Sequence, residues 1–159
     1  MRRKTYIYLS PVTAVRDYEC DLQGVVNHAN YLHYLEHARH QFLRTVGDSF
    51  SSKHDEGFDM FVTHAELDYR QSLRSGDTFV VGVNLSRRGP LLIADQDVIR
   101  ESDGVVVCSG RVHVAGVQDG RLTRGEYFDF LIDYCDKHLI TMSRSTRVPL
   151  PACATLSIS

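Results

Sequence analysis

The sequence predicts an α+β fold in which an antiparallel sheet wraps around a long central helix. Two periodicities and a length argument predict it. From His28 to about Val46, Tyr31, Tyr34, Leu35, Ala38, Phe42 and Val46 recur at helical spacing and fall on one face. From Phe61 the period becomes two: Phe61, Thr63, Ala65, Leu67 and Tyr69 alternate with Val62, His64, Glu66, Asp68 and Arg70, the pattern of a half-buried strand. Strands of about ten residues extend about 33 Å and a helix of about 19 residues about 28 Å, so one sheet can cover one helix along its full length.

In chain order, a first strand is expected over about Thr5 to Glu19, and a loop from Asp21 to Asn27 leads into the helix, which Gly47 stops. After the strand at Phe61 a second presents Phe79, Val81, Val83 and Leu85 inward. Two more, Leu91 to Arg100 and Val105 to Val117, are joined by the hairpin signal Ser102-Asp103-Gly104, and Asp119-Gly120 makes a further turn. A short helix is expected at Glu126 to His138, with Tyr127, Leu131, Tyr134 and Cys135 on one face. Residues 1–139 thus read as one domain. Residues 140–159, rich in Ser, Thr and Pro and without periodicity, read as a flexible tail.

Composition narrows the function classes. A chain of 159 residues, 43% hydrophobic and 24% charged, has enough apolar content for a real core, and a formal charge of -2 with no basic stripe gives no footing for nucleic acid. The apolar runs fall well short of a membrane span, and Arg2-Arg3-Lys4 is not followed by a small-residue cleavage site, so the expected location is cytoplasmic. Cys20, Cys108, Cys135 and Cys153 are scattered without a C-x-x-C pair and read as free thiols.

Chemistry concentrates in Asp17-Tyr-Glu-Cys-Asp21-Leu-Gln-Gly24-Val-Val-Asn27-His28-Ala-Asn30-Tyr31. Gly24 permits a tight turn, and Asn27 is a preferred N-cap, so the helix begins near His28. Its first N–H groups lack intrahelical partners and form a positive pole. Such a pole can stabilise a carbonyl oxygen that becomes an oxyanion, while Asp21 can fold back beside it as nucleophile or base. Turn, pole and carboxylate together suit cleavage of an activated acyl group.

Cys20-Asp21-x-x-Gly24-Val25-Val26-x-His28-x-Asn30-Tyr31 resembles the signature of the 4-hydroxybenzoyl-CoA thioesterase family of hotdog-fold enzymes, and is nearest to its bacterial acyl-CoA thioesterase branch. Glu36, Arg39, Asp68-Tyr69, Gly76-Asp77, Asp95-Gln96 and Gly104 to Gly110 follow in family order. The resemblance implies a hotdog fold and hydrolysis of an acyl thioester of coenzyme A or an acyl carrier protein, with no further cofactor and no metal. It assigns catalysis to Asp21 and His28 and substrate contacts to Gly24, Asn27, Asn30, Tyr31 and Arg39. A single sheet with open edges is a hazard unless another copy covers it, so a homodimer is expected. The resemblance places the reaction centre between protomers, and allows tetramers made of two dimers.

Three rival readings accompany this one. His33-Tyr-Leu-Glu36-His37 is an H-x-x-E-H arrangement, which on a helix could hold zinc for a metal-dependent hydrolase. The same fold also carries dehydratases and non-catalytic acyl binders. Arg87 and Arg88, ahead of Gly89-Pro90, could in addition grip the phosphates of coenzyme A.

Overall fold

The computed structural model describes residues 4–47 and 50–138. Among these, seven strands form one antiparallel sheet: β1 (Tyr8–Leu9), β2 (Thr13–Ala14), β3 (Phe58–Tyr69), β4 (Thr78–Arg88), β5 (Leu91–Arg100), β6 (Val106–Gln118) and β7 (Arg121–Leu122). The order is β1-β4-β5-β6-β3, with β2 also on β4 and β7 on β6. Three helices accompany it: α1 (His28–Thr45), α2 (Phe50–Asp55) and α3 (Glu126–His138). The sheet cradles α1 on one face, which is the hotdog arrangement. The tail expected over 140–159 and Cys153 lie outside the described residues. No helix among the described residues is long and apolar enough to cross a membrane.

Helix α1 seats its Tyr31, Tyr34, Leu35, Ala38 and Phe42 face on the sheet, as the periodicity predicts. Two clusters fill the space. Around its first half, Tyr31, Tyr34 and Leu35 meet Phe79, Val81, Val83, Val98 and Val107. Around its second half, Phe42 and Leu43 meet Phe58, Leu92, Val112 and Val114 together with Phe128 and Leu131 from α3. Each fully buried side chain of this size contributes about 1.5–3 kcal/mol. Helix and sheet meet closely at Gly110, where an added Cβ would lie 2.4 Å from Leu35 Cδ1. A polar pin crosses the same layer: buried Gln96 donates from Nε2 to the Leu35 carbonyl (2.9 Å) and accepts from Arg39 Nη1 (2.9 Å).

The opposite face of the sheet holds a buried acid. Asp97, 1% exposed, accepts from Tyr6 Oη (2.6 Å) and Ser109 Oγ (2.6 Å) and pairs with Lys4 Nζ (2.6 Å). Burial pushes its carboxyl pKa up, but these donors outweigh that effect and hold it below the ordinary carboxylate value.

Three expectations need correction. The continuous strand expected over Thr5 to Glu19 is broken into β1 and β2, with Asp17–Glu19 wound into a single 3-10 turn. Pro11 has no N–H for the ladder, and at Ser10 a side-chain hydroxyl takes over by accepting from the Val81 N–H (2.8 Å). Second, β3 begins at Phe58 and carries a bulge between Val62 and His64, which shifts the alternation by one. Phe58 and Met60 therefore pack on the α3 cluster and Leu67 on the α1 cluster, while Phe61 is 55% exposed. Most of β3 is exposed on both faces because it is an edge strand. Third, α3 has the expected bounds and buries Leu131 and Cys135 as expected, but Phe128, left out of the expected face, is as buried as Leu131, at 0% exposed. Helix α2 was not anticipated.

Candidate active site

The loop from Asp17 to His28 is a closed structure built on Glu19. Its backbone carbonyl accepts from the Asn27 N–H (2.9 Å) and from Asn30 Nδ2 (2.8 Å). Its carboxylate is buried and accepts from Tyr34 Oη (2.8 Å), the Arg16 N–H (2.9 Å) and Arg16 Nε (3.2 Å). An isolated bridge joins Cys20 to Val26, and the Val26 N–H donates to the Leu73 carbonyl (2.8 Å). Chain entry into α1 is thereby tied to the sheet side and to the 70s loop.

Within this frame Asp21 heads a turn. Its N–H donates to the Val25 carbonyl (2.9 Å), its carbonyl accepts from the Gly24 N–H (3.0 Å), and Gly24 takes a φ of +74° that favours glycine. Its carboxylate is exposed, with Oδ1 accepting from the Gln23 N–H (2.8 Å) and, at long range, the Val25 N–H (3.5 Å). Oδ2 has no protein donor among the described residues.

Asn27 is the N-cap: its Oδ1 accepts from the Ala29 N–H (2.9 Å) and its carbonyl from the Asn30 N–H (2.9 Å). Just ahead of these two satisfied amides, the His28 N–H has no acceptor among the described residues. The His28 side chain is exposed, and its carbonyl accepts from Tyr69 Oη (3.1 Å), which joins the start of α1 to the last residue of β3. Asp21, Gly24 and His28 are exposed and Asn27 is half-buried, all on the short stretch of chain that leads into α1.

The remaining candidates sit elsewhere. Asn30 is spent on the Glu19 carbonyl, with its Oδ1 3.3 Å from His33 Nδ1. Tyr31 is 3% exposed and packs edge-on against Tyr34 (5.9 Å between centroids) and Tyr69 (5.5 Å). Arg39 lies 11 residues beyond His28, about 16 Å along the helix, where burial lowers its pKa and Gln96 holds it. It cannot touch the same carbonyl as its own His28. A cavity of about 320 Å³ beside the loop is lined by Arg16, Glu19, His33, Tyr34, His37 and Phe79, among others, but by neither Asp21 nor His28.

For the rival metal reading, Glu36 lies 3.9 Å from His40, one turn on, while His33 faces Asn30. Among the described residues no group of three or more His, Cys, Asp or Glu is arranged to hold a metal ion. Burial, the largest cause, pushes the thiols of Cys108 and Cys135 up to about 12 and about 11, so neither supplies thiolate at neutral pH. Arg87 is committed to Asp129 and to the carbonyls of Gly89 and Arg124. Glu19 is the position that sequence reasoning missed, while Gln96 and Tyr69 were matched in family order without the contacts seen here. The Arg16 and Glu19 spacing of three residues was the one signal for the first.

Comparison with known proteins bears on the family of the chain. The chain is 34% identical over 102 residues to the chloroplastic acyl-acyl carrier protein thioesterase ATL3 of Arabidopsis thaliana, covering 58% of this chain and 54% of that protein. It is 29% identical over 106 residues to the acyl-CoA thioesterase YbgC of Haemophilus influenzae, covering 65% and 76%. The crystal structure of a hypothetical protein from Aquifex aeolicus superposes with a TM-score of 0.72 at 26% identity, covering 79% of this chain and 98% of that one. Residues 15–151 match the family model described as the Thioesterase-like superfamily, and the chain belongs to that superfamily.

Proposed function

We propose that the protein hydrolyses an acyl thioester of coenzyme A or of an acyl carrier protein at the Asp21 and His28 patch. The observation that carries this reading is the His28 N–H, a helix-start donor with no acceptor among the described residues, next to a loop that presents an exposed carboxylate. The thioester carbonyl oxygen accepts from that N–H and becomes the oxyanion as the carbonyl carbon is attacked. Asp21 either attacks, forming a mixed anhydride that water then opens, or takes a proton from the attacking water. The C–S bond breaks in both routes, and the sulfur leaves with the bonding pair as a thiolate. A thiol with a pKa of about 8.5 departs readily, so a strong general acid is not required. The His28 imidazole can orient the thioester or the water.

The patch is open to solvent in one protomer, so it needs a second wall to exclude water. The edge strand β3 is the natural join: it is long, unpaired on its outer side among the described residues and carries exposed Phe61, Val62 and Tyr69. Antiparallel pairing of two such edges gives a two-fold dimer with the patch at its seam.

Release of free thiol from a panel of short, long and aromatic acyl thioesters on both carriers is the test. Asp21→Ala is expected to lower turnover by about 10²–10⁴. Near-wild-type turnover in that variant would remove Asp21 from the reaction, and acyl-CoA binding without thiol release would favour a binder.

A further inference from the structure

We infer that Tyr69 is a positioning residue: its hydroxyl ties the start of α1 to the edge strand β3 and so keeps the His28 N–H aimed at the thioester carbonyl oxygen. This rests on the thioesterase reading above and deepens it, because it names what holds the oxyanion donor in place.

A backbone N–H keeps its aim only if the peptide planes on either side of its Cα are fixed. The plane before His28 is held at the Asn27 carbonyl by the Asn30 N–H (2.9 Å). The plane after it is held at both ends, at the Ala29 N–H by Asn27 Oδ1 (2.9 Å) and at the His28 carbonyl by Tyr69 Oη (3.1 Å). The two contacts made by Asn27 join residues of the helix start to one another and travel with it. Tyr69 is the contact among the three that reaches across to the sheet, 41 residues along the chain.

At the first turn of a helix such an anchor has the most to do, because the opening N–H groups have no carbonyl of their own helix and the end frays. Tyr69 is itself steadied. Its ring packs edge-on against buried Tyr31 (5.5 Å between centroids), three residues after His28. Just beyond it, the N–H groups of Arg70 and Gln71 both donate to the Val107 carbonyl (2.8 and 3.1 Å). Partial burial raises its phenol pKa, so the hydroxyl keeps the proton it donates. Tyr69 acts through the amide and does not touch the reacting atoms. Its strand is the one proposed to pair with a second copy, so the same hydroxyl sets the donor's distance from the wall that the second copy supplies.

Tyr69→Phe keeps the ring and removes the hydroxyl. On a thioester that the wild type hydrolyses, kcat is expected to fall about three- to tenfold, the range of one modest hydrogen bond, with KM within about twofold. Unchanged kinetics overturn the proposal, and so does a rise in KM at unchanged kcat, which would make Tyr69 a substrate contact. A double-mutant cycle with His28→Pro separates aiming from general support, since that variant has no N–H to aim. In that background Tyr69→Phe is expected to lower kcat by less than about twofold. An undiminished loss there would show that the hydroxyl works elsewhere, and overturns the assignment. Amide hydrogen exchange reads the anchor without catalysis: Ala29 and Asn30 are expected to exchange about three- to tenfold faster in Tyr69→Phe, and equal rates overturn the proposal. Thiol release from no acyl thioester, in a wild type whose amides are protected in this way, would defeat the hydrolase reading and not the anchor.

Discussion

Two carboxylates two residues apart, Glu19 and Asp21, meet opposite conditions in one loop. Glu19 is 6% exposed and holds three donors, with its carbonyl holding two more. Asp21 is exposed, and its donors are two amides of its own turn. The difference separates the frame from the proposed working edge. A group saturated by its neighbours has no capacity left for a substrate, and removing it costs the whole network. A group left partly open can accept a proton or attack a carbon, and the frame keeps it in place.

The sharpest way to break this division is to delete the open donor without disturbing the frame. His28 is the first residue of α1, where proline is tolerated, and Asn27 has φ -58° and ψ 136°, a conformation a following proline accepts. His28→Pro should therefore lower turnover by about 10²–10³ relative to His28→Ala, with Tm values within a few degrees of each other. Equal turnover in the two variants would mean that the backbone N–H does not bind the oxyanion.

On the frame side the order of effects reverses. Glu19→Ala leaves the Tyr34 hydroxyl and the Arg16 N–H without their acceptor, and is expected to cost about 2–3 kcal/mol, a fall of about 4–10 °C in Tm. Its activity loss should track unfolding, and recover at low temperature. A stable Glu19→Ala protein that turns over poorly would move Glu19 to the working edge.

Asp97 extends the comparison to an acid with no role in the patch. Because its folded-state pKa lies below the ordinary carboxylate value, it contributes stability above about pH 4 that is lost as the pH falls through the folded value. Denaturant unfolding should show Asp97→Asn to be less stable than wild type by about 1–2 kcal/mol at pH 7, and the gap should narrow below about pH 4. A gap independent of pH would show that the Lys4, Tyr6 and Ser109 contacts do not depend on the charge.

The elements legible in the sequence were those whose cause is local. Asn27 capping and the apolar stripe from Tyr31 to Phe42 set α1, and alternation with Gly104 set the β5 and β6 hairpin. What escaped depends on partners far along the chain. Nothing around Thr63 announces a bulge, since it is the pairing with β6 that defines it. Glu19 reads as one more polar residue until Tyr34, 15 positions on, is folded against it. Tyr31 and Asn30 are motif residues, yet one packs in the core and the other fastens the loop.

The contact between Gly110 and Leu35 has a consequence for diversification. Any side chain larger than hydrogen at position 110 would have to displace Leu35 Cδ1 from between rod and sheet, so exchange at that point is costly, whereas exposed positions such as Asp21 and His28 can be exchanged at little thermodynamic cost.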